Sequence, residues 1–259
     1  MRREDRRQEI LDLLVSKGAV EVDLLSEQLS VSKMTIHRDL DELEELGMLR
    51  KIRGGATTEP GTQFESDFRF RALQGQSTKE AIAQAALKLV EPGMSVIVND
   101  GSTAAVLGNH LVKARPLTVL TNNGAVIDQL KDQAGISLIA LGGWYTPKYN
   151  AYFGKVTEDA LTGLRADIAF ISSPAVKGCD VFHMDEAAVR TKRAMINSAT
   201  KNVLLVSNSR INQQALYRLA SIGEFDVVIT DKAPDESFAK LVKASGIELI
   251  VASTEGARI

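Results

Sequence analysis

Lys33, Thr35, His37 and Arg38 stand close together in the stretch SVSKMTIHRDLDELEELGMLRKIRGGA, residues 30–56. Short hydroxyls and basic groups of this kind can meet base edges and phosphates when the N-terminus of a helix enters the major groove of DNA. Ile36, Leu40, Leu43, Leu46 and Met48 recur mostly three or four residues apart, which predicts a helix over residues 32–47 with an apolar stripe opposite those groups. The polar turn Ser30-Val31-Ser32 precedes it, and Gly47 stands where a helix end favours positive φ. Leu49-Arg50-Lys51-Ile52-Arg53-Gly54-Gly55 then alternates apolar and basic residues before a glycine pair, as a short strand entering a hairpin does. Such a basic hairpin could reach phosphates or the adjacent minor groove. Helix and hairpin together read as a winged helix-turn-helix. Its candidate contacts to double-stranded DNA are Ser32, Lys33, Thr35, His37, Arg38, Arg50, Lys51, Arg53 and Gly54.

A second set of chemical groups lies in loops that follow apolar runs. These are Asp100-Gly101-Ser102-Thr103, Thr121-Asn122-Asn123-Gly124 and Leu141-Gly142-Gly143. Glycine permits close backbone approach, and hydroxyls with free N–H groups at a helix start can hold an anion. Each loop alone is equally an ordinary helix cap. Three in succession point to an anion pocket whose candidates are Asp100, Gly101, Ser102, Thr103, Thr121, Asn122, Gly142 and Gly143. The segment 144–153 holds the single tryptophan and three of the four tyrosines; it could stack on a ligand, contact another subunit or cover the core. His183, Asp185 and Glu186 are metal-ligand types, but no second histidine stands at ligand spacing. Asp185 reads more simply as the cap of a helix carrying Arg190, Lys192 and Arg193. No metal site and no cofactor are expected.

The elements that position these groups follow from texture. Residues 3–16 form an amphipathic pattern with Arg6, Arg7, Glu9 and Asp12 on the exposed side, and 23–29 form a second short helix capped by Asp23. With the 32–47 helix they make a small all-α winged domain over residues 1–57. Periodicity is lost over 58–78, where Pro60, Gly61 and Gly75 mark a linker. Phe64, Phe68 and Phe70 within it would bury themselves on the next domain or on a partner subunit. From Lys79 to 259 helices alternate with near-continuous apolar strands, including a short helix near 215–220. That alternation predicts a larger α/β domain with a mostly parallel sheet covered on both faces. Ligands of such sheets collect beyond the carboxyl ends of the strands.

Composition narrows the class. The 259 residues are 44% hydrophobic with a net charge of −2 and a single cysteine, Cys179. This excludes an intrachain disulfide framework and a cysteine metal knuckle. Residues 1–56 carry ten Lys/Arg against twelve Asp/Glu. DNA binding would then depend on which face holds which charge. The acids Asp41, Glu42, Glu44 and Glu45 fall late on the helix, away from its groove-entering end. The charged N-terminus does not read as a signal peptide, and no run reaches the ~20 apolar residues of a membrane span. A soluble cytoplasmic protein is expected.

The residues Val31-Ser32-Lys33-Met34-Thr35-Ile36-His37-Arg38-Asp39-Leu40, then Leu43, Gly47 and Arg53-Gly54-Gly55-Ala56, resemble the DeoR-type bacterial transcriptional regulators. His37 stands where that family usually has an arginine. The resemblance extends over residues 3–252, through Asn99-Asp100-Gly101-Ser102-Thr103, Thr121-Asn122, Leu141-Gly142-Gly143, Gly154, Asp185-Glu186, Lys192 and Ile229-Thr230-Asp231. It implies a sensor domain of the sugar-phosphate isomerase-like (ISOCOT) fold, with Lys192 and Arg210 joining the effector site. It further implies a repressor of a carbohydrate catabolic operon that a phosphorylated sugar or related metabolite releases from DNA. The segments 171–175 and 207–210 depart from the family pattern: an aspartate is missing, and Arg210 replaces a lysine. Arginine still grips phosphate, often bidentately.

A winged helix covers few base pairs, so a homodimer or homotetramer on repeated half-sites is expected. Two other classes stay open. In a sugar-phosphate isomerase or transferase, Asp100, Asp185, Glu186 and Lys192 would be the acid–base groups. A three-helix protein-interaction module would bind no DNA at all.

Overall fold

The computed structural model describes residues 2–58 and 67–252. Pro60, Gly61 and Phe64 of the expected linker lie outside the described residues. The chain divides into two compact units, Met1–Gln74 and Gly75–Ile259.

The first unit opens with α1 (Arg3–Lys17), which ends at Gly18 in the left-handed region. β1 (Ala19–Glu21) and α2 (Val22–Gln28) follow. Asp23 does not cap α2 as expected. The helix begins one residue earlier because Val22 is drawn into the core, which leaves Asp23 in the first turn. α3 (Lys33–Glu45) is capped by Ser32, whose hydroxyl accepts the Thr35 N–H at 3.2 Å. At its other end Gly47 has φ 68°, as its position in the sequence predicts. The wing is β2 (Arg50–Ile52) and β3 (Gly55–Thr57). β1 pairs antiparallel with β3, so the unit is not purely helical; its sheet order is β1-β3-β2. The glycine pair has two separate reasons. Gly54 turns the hairpin at φ 78°, and a Cβ on Gly55 would stand 2.0 Å from the Val20 carbonyl oxygen.

Ile10, Leu14, Leu25, Ile36, Leu40, Leu43 and Leu49 form the core of this unit. Arg6, expected on the exposed face of α1, is instead buried. Its Nε lies 2.5 Å from Asp39 Oδ2, and its Nη2 donates to Asp39 Oδ1 at 3.1 Å. Arg7 reaches Asp39 and Glu42, and Arg3 reaches Glu42. The cause is Asp39 itself. It shares the buried face of α3 with Ile36 and Leu40, and a carboxylate there needs a cation beside it.

Part of the expected linker is helical. α4 (Phe68–Leu73) is capped by Asp67, and Phe70 joins the core of the first unit rather than docking elsewhere. α5 (Gln76–Leu87) opens the second unit. Next come β4 (Ser95–Val98), α6 (Ser102–Leu111), β5 (Leu117–Thr121), α7 (Gly124–Leu130) and β6 (Ile136–Ala140). β7 (Trp144–Thr146) and β8 (Ala151–Phe153) form a hairpin before α8 (Lys155–Thr162). β9 (Ala166–Ser172), β10 (Ala175–Lys177), β11 (Asp180–His183), α9 (Glu186–Asn197) and β12 (Ala199–Leu205) follow. The unit finishes with β13 (Tyr217–Ser221), β14 (Val227–Thr230), α10 (Glu236–Ala244) and β15 (Glu248–Val251). Residues 217–220, expected within the short helix near 215–220, are instead extended as part of β13, which pairs with β11 in a small antiparallel sheet of order β10-β11-β13.

The main sheet has seven parallel strands in the order β15-β14-β12-β9-β4-β5-β6. The chain lays down β4, moves outward through β5 and β6, then returns to place β9 on the other side of β4. β12, β14 and β15 continue in that direction. The β4/β9 junction is therefore the topological switch point, where loops diverge to opposite faces and ligands of parallel sheets bind.

Replacing Asp39 by alanine leaves the Arg6 guanidinium buried without a counter-charge. We expect Asp39→Ala to destabilise the first unit by about 3–5 kcal/mol, and Arg3→Ala, which loses an exposed pair, by about 0–1 kcal/mol. Urea unfolding followed by circular dichroism checks this; equal effects of the two variants would refute the assignment.

Candidate functional site

On α3 the buried residues are Ile36, Asp39, Leu40 and Leu43, while Lys33, His37 and Arg38 are exposed. Among the described residues neither Arg38 nor Arg53 has an ion-pair partner. Lys33 Nζ lies 2.8 Å from Asp23 Oδ1, both groups well exposed. Such a pair is worth about 0–1 kcal/mol, so exchanging it for a phosphate costs little. The Thr35 hydroxyl is half-buried and sits 2.9 Å from Ser32 Oγ, within the cap. Lys51 turns back toward α3, where its ammonium pairs with Asp41 and its N–H donates to Glu44 at 2.7 Å. Arg50 is half-buried beside it, and Arg53 is exposed with Gly54 at the wing tip. Four of the five acids of α3, Asp39, Asp41, Glu42 and Glu44, are thus met by Arg3, Arg6, Arg7 and Lys51. An acidic unit can in this way still present a basic edge.

The second cluster lies at the β4/β9 switch point. Asp100 is fully buried, and its Oδ2 lies 3.5 Å from Nζ of Lys192 on α9, itself only 1% exposed. The same ammonium donates to the Ser172 carbonyl at 3.2 Å. Ser172 in turn donates from its N–H and its hydroxyl to Asn99 Oδ1, both at 3.2 Å. The packing leaves no room for a side chain at Gly101, whose Cβ would stand 1.6 Å from Ser172 Oγ. Asn123 ties in the neighbouring strand: its Nδ2 donates to the Asn99 carbonyl at 3.0 Å, and its Oδ1 caps α7. Local spacing placed Asn99 and Asn123 in these strand-end loops but held no sign that they and Ser172 brace one another across the strands. An amide at a strand end followed by glycine was the available signal for Asn123.

Other expected residues stand apart from this cluster or are engaged in the scaffold. The Thr121 hydroxyl donates to the Val98 carbonyl at 2.6 Å. Asn122 Nδ2 donates to the Tyr152 carbonyl at 2.8 Å, which leaves its buried Oδ1 as an acceptor with no hydrogen-bond partner among the described residues. Gly143 has φ 142°, and a Cβ there would meet Thr157 Oγ1 at 2.3 Å; the Thr157 hydroxyl donates to the Gly142 carbonyl. Both glycines are exposed. Ser102 and Thr103 open α6. Arg210 ends a single 3-10 turn after β12, where the Asn208 N–H donates to Asp231 Oδ1 at 2.7 Å. It lies on the same carboxyl edge of the sheet.

The aromatic segment divides in two. Tyr149 and Phe153 are buried edge to face at 5.6 Å and pack with Ala188 of α9, whereas Trp144 is 81% exposed. His183 is buried, with Nδ1 accepting the Asp185 N–H at 3.1 Å. Among the described residues no group of three or more His, Cys, Asp or Glu could hold a metal ion. Asp185 caps α9 through the Ala188 N–H, and Glu186 pairs with Arg190 at the surface. Of the four acid–base candidates, only Asp100 and Lys192 come together.

A model of the DeoR C terminal sensor domain matches residues 74–232, and one of the DeoR-like helix-turn-helix domain matches residues 6–60. The chain belongs to the DeoR family. It is 30% identical over 251 residues to the uncharacterized HTH-type transcriptional regulator YgbI of Escherichia coli K12, covering 97% of this chain and 98% of that one. It is 30% identical over 253 residues to the HTH-type transcriptional repressor GlcR of Bacillus subtilis 168, covering 97% of each. The HTH-type transcriptional regulator UlaR of Shigella dysenteriae is 30% identical over 249 residues, 95% of this chain and 97% of its own. A ribose 5-phosphate isomerase A from Methanocaldococcus jannaschii aligns at TM-score 0.40 and 19% identity, over 53% of this chain and 55% of that one. This DeoR-family chain is thus a DNA-binding transcriptional regulator and not an isomerase. Among the described residues no helix is long and apolar enough to cross a membrane.

A buried ion pair broken on one side leaves an uncompensated charge. Lys192→Met should therefore lower the stability of the sensor unit by about 3–5 kcal/mol, and Lys192→Met with Asp100→Asn should recover most of the loss. Thermal unfolding of the single and double variants measures the coupling; purely additive losses would show that the two groups do not act as a pair.

Proposed function

We propose that this regulator is a cytoplasmic repressor of a carbohydrate catabolic operon, which leaves its operator when a phosphorylated sugar or related metabolite binds the sensor unit. The observation that carries the DNA half is the sorting of charge on α3. Asp39, Asp41, Glu42 and Glu44 are engaged by α1 and the wing, while His37 and Arg38 remain exposed beside the helix start. Arg38 contacts a base or phosphate in the major groove, and Ser32, Lys33, Thr35 and His37 flank it. Arg50, Lys51, Arg53 and the Gly54 backbone meet the DNA backbone from the wing. Homodimers or homotetramers place two such units on repeated half-sites.

The effector half rests on the carboxyl edge of the sheet. Asp100, Gly101, Ser102 and Thr103 stand at the switch point with Lys192, and Thr121, Asn122, Gly142 and Gly143 continue the edge through β5 and β6. Arg210 supplies the phosphate grip from the opposite side of the switch. Asn122 Oδ1, a buried acceptor, suits a sugar hydroxyl, because its amide nitrogen is already committed to Tyr152. Effector binding lowers DNA affinity only to the extent that the effector prefers the DNA-free state.

Two measurements test these halves separately. Arg38→Ala should weaken operator binding by about 1–3 kcal/mol, and Arg53→Ala should reduce the slope of log K against log salt by about one. Unchanged binding in both variants would remove α3 and the wing from the interface. In a thermal-shift screen of phosphorylated sugars and sugar acids, a ligand at a hundred times its Kd should stabilise the sensor unit by about 2.7 kcal/mol. Arg210→Ala should abolish that shift, and the same ligand should release DNA. A screen in which no phosphorylated compound raises the melting temperature refutes the pocket.

A further inference from the structure

The first turn of α3 carries one feature that neither charge nor core packing accounts for. Met34 is 64% exposed, two residues after the cap residue Ser32 and one helical turn before His37 and Arg38. The other side chains of that turn are engaged. Lys33 pairs with Asp23, Thr35 Oγ1 lies against Ser32 Oγ, and Ile36 is buried in the core. Positions 34, 37 and 38 share the face opposite Ile36, Leu40 and Leu43, by the three- and four-residue spacing of a helix. A large apolar side chain held in water at the centre of a polar face gains free energy only when something apolar covers it.

In a major groove the apolar group on offer is the 5-methyl of a pyrimidine. Methionine suits that target, being unbranched, polarisable and able to adjust its χ angles to a small contact. We infer that Met34 is a specificity-determining residue that reads a pyrimidine 5-methyl group in each operator half-site, adjacent to the base or phosphate met by Arg38. This rests on the reading of α3 as the helix that enters the groove. The methyl belongs to thymine or to 5-methylcytosine. The contact adds discrimination by burial alone, with no hydrogen bond. Its strength is that of about one buried methyl group, close to a fourfold change in affinity.

The test uses the full-length chain and duplexes it enriches from a random-sequence pool. Thymines are replaced singly by deoxyuridine, which removes the 5-methyl and nothing else, and Kd is read by fluorescence anisotropy. Wild type should lose about fourfold at one position of each half-site. Met34→Ala should bind the thymine and uracil duplexes equally, at the wild-type affinity for uracil. Arg38→Ala should weaken both duplexes while keeping their ratio. Cytosine and 5-methylcytosine at the same position then separate the sources: a gain on methylation shows that the methyl alone is read, and no gain ties the contact to thymine. The inference is overturned if no thymine-to-uracil change costs wild type more than twofold, or if Met34→Ala keeps the wild-type ratio. Failure to enrich any duplex, with Arg38→Ala no different from wild type, overturns the groove reading itself and Met34 with it.

Discussion

A carboxylate removed from water needs a cation beside it, and each unit of this chain buries one such group. In the first, Asp39 is held by Arg6 and approached by Arg7. In the second, Asp100 is fully buried with the Lys192 ammonium beside it. Burial of charge is a poor way to gain stability, because desolvation offsets most of the attraction. What it supplies is a discrete geometry. Rotating α3 about its axis would separate Asp39 from Arg6, and displacing α9 along the sheet would separate Lys192 from both Asp100 and the Ser172 carbonyl. The opposite face of α3 and the carboxyl edge of the sheet are thereby fixed from behind.

That constraint explains how a net-acidic unit can serve as a DNA reader. Asp39, Asp41, Glu42 and Glu44 of α3 are matched by α1 and by Lys51 of the wing. The first turns of α3 keep Lys33, His37 and Arg38 exposed. Net charge is a property of the sum, whereas the potential near a phosphate depends on which charges are nearest and which are already neutralised.

At the sheet, the switch point concentrates chemistry because two adjacent parallel strands end with loops leaving in opposite directions. The crevice so formed is lined by backbone groups that the ladder no longer satisfies. Asn99, Asn123 and Ser172 bond to those groups and to one another, and Gly101 is small enough to let β4 and β9 close over them. Ser172 and Ser173 are part of this lock. Ser173 donates to the Phe182 carbonyl at 2.8 Å and so joins the small antiparallel sheet to the main one.

By itself the sequence determined what depends on local spacing. The α3 stripe, its Ser32 cap, Gly47, the Gly54–Gly55 turn, the alternation that makes a parallel sheet and the Asp185 cap are set by residues within a few positions of each other. It also carried the family motif. Only the tertiary structure decided the rest, because the deciding partner lies far along the chain. Arg6 looked solvent-facing until Asp39, 33 residues away, was placed beside it. Residues 217–221 are a strand because they pair with β11, and β1 is a strand through its pairing with β3 of the wing. Phe70 turned inward to the first unit once α4 formed. The pairing of Asp100 with Lys192 depends on strand order, which no local pattern encodes. Short elements carry too little periodicity to choose a conformation alone, and a charged side chain is exposed or buried according to what faces it.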